Sequence, residues 1–379
     1  MTAAFPEKID ALTGLRFFMA LAIVLHHLCG VMFVKPGAFG TLALAQGVSF
    51  FFILSGFVLQ HAYRTRITTV GPLRFVGLRF ARLWPVHMAV IGIVALLGGQ
   101  IFFDDFVYQL FLVQAWRPML GDVYAINGPA WSISVELFFY ALFPFLTAPA
   151  AKRPLLLLTG ASILTGLYLF AITWADQQGV NVNAYSRVNP LGRVFEFILG
   201  MTAYELAQRW RTPKGSWVEI AVVALTWFVF VRVSEYTAIH SVKPVEEWLR
   251  LTGSAPAFAL AIVVLARQSG IISTTLSWRP LVYLGDLSFA LYLVHHPIIV
   301  YFEHHPMHLP PIAQIVLFTG GLFALCAALH HGVELPAMNW ARRFLARKRP
   351  TQIVLPNSAG SEDKNLIPVR TDQPPSEGR

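Results

Sequence analysis

Residues 12–28 read LTGLRFFMALAIVLHHL, an apolar helical run with one cation near its start and a histidine pair near its end. Arg16 and His27 are eleven positions apart, which is about 1100° of helix rotation, or three turns plus roughly 20°. Both side chains therefore leave one face, about 16 Å apart along the axis. On a surface helix this spacing means little. Inside a membrane span, where ionisable groups are costly, it marks a candidate functional site.

The rest of the chain supports the membrane reading. Of 379 residues, 56% are hydrophobic and 13% charged, and the mean hydropathy is +0.58. Soluble proteins carry about twice that charged fraction. Repeated apolar runs of 17–22 residues fit an all-α polytopic integral membrane protein. The net charge of +9 invites a nucleic-acid partner, yet the basic residues lie between the apolar runs, as topology-setting loop charges do, so no nucleic acid is expected. Cys29 and Cys326 both fall in apolar runs and read as small packing residues, not as a disulfide or metal site. The first run has no small-residue cleavage site and reads as a retained span.

Ten spans are expected, near 12–33, 41–61, 84–103, 130–148, 154–174, 190–208, 216–233, 251–268, 281–302 and 311–333. With the N-terminus inside, cytoplasmic segments through Arg349 hold 19 of the 29 Lys and Arg residues, outer segments seven and the distal tail three. The positive-inside rule then places both termini in the cytoplasm. A membrane domain over 1–345 is followed by a polar tail over 346–379, rich in Pro, Ser and charge, with the signature of disorder.

Several polar groups sit at depths where a bland reading competes with chemistry. Arg79 and Arg82, in RFARLWP (79–85), suit either positive-inside anchoring or a clamp for an anionic headgroup. Glu136 lies in WSISVELFFY (131–140). As a buried carboxylate it needs a partner, such as Ser132 or a cation from another span. Arg193 and Glu196 in GRVFEFILG (192–200) stand at i, i+3 and read as a structural pair. Tyr292 and His295 share a face in GDLSFALYLVHHP (285–297), with His296 on another, and Glu334 in VELP closes the last span. No phosphate-binding glycine loop, HExxH or GxSxG is present. The histidine-rich spots at 26–27 and at 304, 305 and 308 lack a matching ligand arrangement, so no metal is expected.

Taken in order, these segments resemble the membrane-bound acyltransferase-3 family, often named for O-antigen acetylases, over residues from about 10 to 336. Arg16 and His27 match its pattern of Arg or Lys, ten residues, then His. VSFFFILSGF (48–57), RFARLWP, WSISVE, GRVFEFILG, LYLVHHP and VELP follow in the family's order. One departure is that Leu78 stands where the family often has an arginine, leaving Arg79 and Arg82, with Arg74 as a possible substitute.

The resemblance implies transfer of an acyl group, usually acetyl, from cytoplasmic acyl-CoA (acetyl-CoA) to a hydroxyl. The acceptor it implies is a surface carbohydrate or lipid-linked glycan, as in polysaccharide O-acetylation, or sometimes a small molecule. The setting it implies is the plasma membrane, the inner membrane of a bacterium. On this reading Arg79 and Arg82 bind the CoA phosphates and Arg16 steers the donor. His27 is general base or transient acyl carrier, and Glu136 orients His27 or serves as base at an outer acceptor site. Ser132, Ser134, Tyr292 and His295 would line the cavity. Aromatic and acidic residues in 104–129 and 234–250 suit acceptor selection. The competing class is a transporter or flippase for a glycan or organic anion, in which the same buried groups form a proton relay. The two halves of the sequence show no internal repeat to support it.

Overall fold

Helix α1 (Asp10–Leu28) opens the fold, with Asp10 in its first turn and His26 and His27 in its last. That charge order suits the helix dipole, and Lys8 pairs with Asp10 at 2.8 Å. The computed structural model describes residues 5–28, 42–210, 213–240, 243–305 and 309–346, so Cys29, His308 and the expected tail from 347 onward lie outside the described residues. Cys326 is free and buried.

Among the described residues every regular element is helical. After α1 come α2 (Gly47–Tyr63), the single-turn α3 (Ile67–Val70) and α4 (Pro72–Leu96). Two short helices, α5 (Phe103–Leu110) and α6 (Leu120–Tyr124), lead to α7 (Trp131–Lys152) and α8 (Pro154–Gln177). Next are α9 (Asn183–Arg187), α10 (Pro190–Arg209), α11 (Ser216–His240), α12 (Pro244–Thr252) and α13 (Ala255–Leu265). The chain closes with α14 (Ile271–Leu276), α15 (Arg279–His304), α16 (Pro311–Leu329), a π turn at His330–Glu334, and α17 (Leu335–Ala346).

Nine helical segments among the described residues are long and apolar enough to cross a membrane. They correspond to nine of the ten expected spans. The sixth, α10, has the length but also carries Arg193, Glu196 and Glu205, all buried. It is shielded by α2, α7, α8 and α13, so its polar groups meet protein. The expected eighth span at 251–268 begins earlier, at Pro244. It is broken at Gly253–Ser254, because Pro256 sits in the first turn of α13, where its missing N–H costs nothing. The freed Ser254 N–H donates to Gln46 Oε1 at 3.2 Å. Lipid-facing surface is evident on α8 (Leu164, Phe170), α11 (Trp227, Phe228) and α16 (Ile312, Val316), whose large apolar side chains are exposed.

Two close helix contacts set the frame. At the parallel crossing of α2 and α10, a Cβ built on Gly56 falls 2.0 Å from Phe197 O, and one on Gly200 falls 1.9 Å from Ile53 O. At the parallel contact of α1 and α15, a Cβ on Gly285 falls 1.9 Å from Thr13 O. Only glycine permits such approach, the usual device where apolar burial cannot drive helix association in lipid.

A third tie fixes the entry to α7. Pro297 lies inside α15 and has no N–H for the Leu293 carbonyl four residues back. Asn127 Nδ2 donates to that carbonyl instead, at 2.9 Å. The Tyr292 hydroxyl donates to Pro129 O at 3.0 Å. The 127–129 segment is thereby held against α15, which positions Trp131 and Ser132 at the start of α7.

Candidate active site

The α1–α15 contact brings two histidines together. His295 lies ten residues beyond Gly285 and His27 fourteen beyond Thr13. Their ring centroids are 5.1 Å apart. His295 Nδ1 is 3.0 Å from Leu291 O, and His27 Nδ1 is 3.0 Å from Ile23 O. A carbonyl only accepts, so in each ring Nδ1 carries the hydrogen. His295 Nε2 then holds a lone pair and lies 3.1 Å from His27 Nδ1. The His27 Nδ1–H is shared between that lone pair and the Ile23 carbonyl. What remains is His27 Nε2, a free lone pair whose tautomer is set by the bond on the other nitrogen.

His27 lines a chamber of about 370 Å³ with His26, His296, Trp131 and Tyr292. His295 is fully buried behind it and acts on the chamber through His27 alone.

Nearer the start of α1, a narrow cavity of about 50 Å³ is lined by Arg16, Arg82, Glu136, Ser132 and Ser288. Glu136 accepts from the Tyr140 hydroxyl one turn along α7 and from Ser55 Oγ at 3.5 Å. Arg82 Nε is 3.8 Å from Glu334 Oε1. Glu334 also takes His330 Nδ1 at 2.8 Å, a pairing made within the π turn. Arg16 Nε is buried without a hydrogen-bond partner. A buried guanidinium with an idle donor is costly, and a ligand oxygen would relieve it.

Val48 and Tyr292 border both cavities, so the charged site adjoins the histidine chamber. On its other side that chamber adjoins a third cavity of about 530 Å³. The two share Tyr124, Gly128 and His296. Burial pushes the Tyr124 hydroxyl above the ordinary phenol range, so it stands at that junction as a neutral donor.

The expected site residues divide into two groups. Arg16, His27, Arg82, Ser132, Glu136 and Tyr292 all line the two adjoining cavities. His295 stands behind His27. Arg79 turns away: its Nη2 donates to the Tyr63 hydroxyl at 2.7 Å, and its guanidinium lies over the Tyr63 and Phe75 rings. Ser134 also points elsewhere, because two residues along a helix is a turn of about 200° from Ser132. Its Oγ accepts from Ala115 N at 3.4 Å. Arg74 is exposed and offers the cavity no replacement for the arginine missing at Leu78. Glu136 shares no hydrogen bond with His27; it belongs to the arginine cavity.

Other lining residues had faint signals or none. Tyr140, which lines neither cavity but donates to Glu136, stands at i+4 from it, a same-face helical spacing. His296, noted in the sequence on another face from His295, lines the chamber too. Arg187, which no motif marks, reaches the histidine chamber from α9, and Glu247 and Arg250 reach it from α12, within the 234–250 segment noted for its aromatic and acidic residues. Among the described residues no group of three His, Cys, Asp or Glu is placed to hold a metal ion.

The family model described as an acyltransferase domain matches residues 9–331, and the chain belongs to that acyltransferase family. Among its relatives is acyltransferase MdmB of Streptomyces mycarofaciens, 29% identical over 95% of this chain and 98% of that protein. O-acetyltransferase OatA of Staphylococcus aureus is 26% identical over 78% of this chain, which spans about half (51%) of OatA. Protein 2 in the picA locus of Rhizobium radiobacter is 30% identical over 43% of this chain and 94% of that protein. No solved structure matches the chain.

Proposed function

We propose that this protein is an acyl-CoA-dependent O-acyltransferase that moves an acetyl group to a hydroxyl of a cell-surface or lipid-linked carbohydrate. In this proposal both termini are cytoplasmic, the protein resides in the bacterial inner membrane, and residues 346–379 form a polar tail beyond the membrane domain. The observation that carries the reading is the free Nε2 of His27, on a ring held in one tautomer by the Ile23 carbonyl and oriented by His295, in a chamber that adjoins a buried arginine site. The family and its O-acetyltransferase relatives support the reaction class.

The roles follow from placement. Arg82 and Arg16 attract the anionic part of acyl-CoA, and the thioester arm passes Tyr292 toward His27. Glu136, held by Tyr140 and Ser55, limits the positive field there. His27 Nε2 takes the proton of the acceptor hydroxyl as its oxygen attacks the thioester carbonyl. The C–S bond breaks, and the protonated His27 returns its proton to the departing thiolate, giving ester and free CoA. While His27 is charged, the Ile23 carbonyl and His295 Nε2 both accept from Nδ1–H and stabilise the cation.

The test is transfer of label from acetyl-CoA in inverted membrane vesicles, comparing the native chain with His27→Ala at matched expression. Label in glycan or lipid with the native chain alone is the expected result. Equal transfer by both would remove His27 from catalysis. Acyl-CoA-independent movement of a glycan, with no transfer, would replace the enzyme with a transporter.

A further inference from the structure

The histidine chamber contains a cation that acyl transfer by His27 does not use. Arg193 is 1% exposed and is the largest fully buried side chain. Its guanidinium packs over the Phe52 and Trp131 rings, 5.4 and 5.7 Å from their centroids. Nη2 donates to Glu196 Oε1 at 2.9 Å, whereas Nε and Nη1 are buried with no partner. Leaving buried charged donors idle costs more than leaving neutral ones idle. Aromatic packing and the Glu196 bond hold the group rigid, so it cannot swing out to water.

Arg193 lines the chamber with Arg187 and Arg250. Glu247 sits between the last two, 3.1 Å from Arg187 and 3.8 Å from Arg250. Three arginines therefore face two carboxylates, counting Glu196 behind Arg193, and one positive charge is left over. None of these three arginines lines the Arg16–Arg82 cavity.

We infer that this chamber is an acceptor subsite selective for hydroxyl compounds that carry a carboxylate, such as uronic-acid sugars, with Arg193 as its anchor. The inference rests on the acyltransferase reading. A carboxylate is acceptor-only and satisfies Nη1 or Nε of Arg193 while it cancels the surplus charge. With that group fixed, a hydroxyl elsewhere on the acceptor is presented to His27 Nε2. Arg187, Glu247 and Arg250 bind further hydroxyls at the rim, and Tyr124 donates at the far side.

The experiment uses the full chain in lipid nanodiscs, with methyl glucuronide and methyl glucoside as matched probes. One arm records thermal unfolding with millimolar probe and no acetyl-CoA. The other measures kcat/KM for labelled acetyl transfer to each. The uronide alone should raise the melting temperature. It should also be the better acceptor by about tenfold or more, the factor that one charge-assisted hydrogen bond supplies. Arg193→Gln should erase that preference through KM for the uronide, leaving KM for acetyl-CoA unchanged. Removing Arg193 strands Glu196, so Arg250→Gln, at a 40% exposed side chain, serves as the variant that keeps its fold. It should reduce the preference about threefold, as a partly exposed charge does.

A native chain that treats both probes alike overturns the inference. So does an Arg193 variant that raises KM for acetyl-CoA, because the anion would then be a CoA phosphate. An equal loss of kcat on both probes, with KM unchanged, overturns it too. Stabilisation by the uronide without any transfer would sink the acyltransferase reading and leave the subsite standing. Transfer without discrimination would do the reverse.

Discussion

Gly285→Ala offers a test of the histidine pair that alters neither histidine. A Cβ at position 285 falls 1.9 Å from Thr13 O and 3.2 Å from Gly14 N. An ordinary C···O contact is about 3.3 Å, so α1 and α15 must part by about 1.4 Å at that point. If α15 moves as a rigid body, the His295 Nε2 to His27 Nδ1 distance grows from 3.1 Å to about 4.5 Å, too long for a hydrogen bond. The clash should lower stability by about 1–3 kcal/mol. Loss of the bond that orients His27, together with a shift of more than 1 Å, should slow transfer by about 100-fold. Both are measurable in nanodiscs: melting temperature for the first, single-turnover acetyl transfer at a temperature where both proteins are folded for the second. Gly320→Ala in α16, with no atom within 4 Å of the added Cβ, is the control and should match the native chain in rate. A Gly285→Ala variant that melts early but transfers at the native rate would refute the claim that α15 holds His27 in its working orientation. A variant unchanged in both would refute the packing argument as well.

Other outcomes follow from the same geometry. His295→Leu nearly keeps the buried volume but removes the lone pair that accepts from His27 Nδ1, so the rate should fall about 10- to 100-fold with little loss of stability; rates from purified protein would decide it. Arg82→Gln should raise KM for acetyl-CoA by about tenfold. Arg79→Gln should have a smaller effect, since Arg79 is engaged with Tyr63, and equal effects in steady-state kinetics would argue that both arginines touch the donor. Asn127→Ala leaves the Leu293 carbonyl without its donor and should cost about 1–3 kcal/mol, read as an earlier thermal transition.

Much of the architecture was legible before any tertiary contact was known. Length and hydropathy of the apolar runs give the helical membrane class, because lipid leaves backbone polar groups no partner outside the helix. Helical periodicity alone puts Arg16 and His27 on one face of α1, and the Glu136–Tyr140 spacing follows the same rule. Periodicity is silent on which face meets which. His295 was placed beside Tyr292 on its own helix, but its position behind His27 depends on Gly285 admitting the Thr13 carbonyl, a contact 272 residues apart in sequence. Arg79 and Arg82 look equivalent in RFARLWP; only the neighbouring Tyr63 and Glu334 send them to different partners. Glu136 reads as a partner for any buried cation, and packing of α7 against α4 assigns it to the arginine cavity. Arg193 reads as half of an i, i+3 ion pair, which it is. That it also lines the histidine chamber, with two donors left unpaired, depends on Phe52 and Trp131, from two other helices, holding its plane. Local periodicity is written in a single stretch of chain, whereas the partner of a buried charge is chosen by helices brought together from distant parts of it.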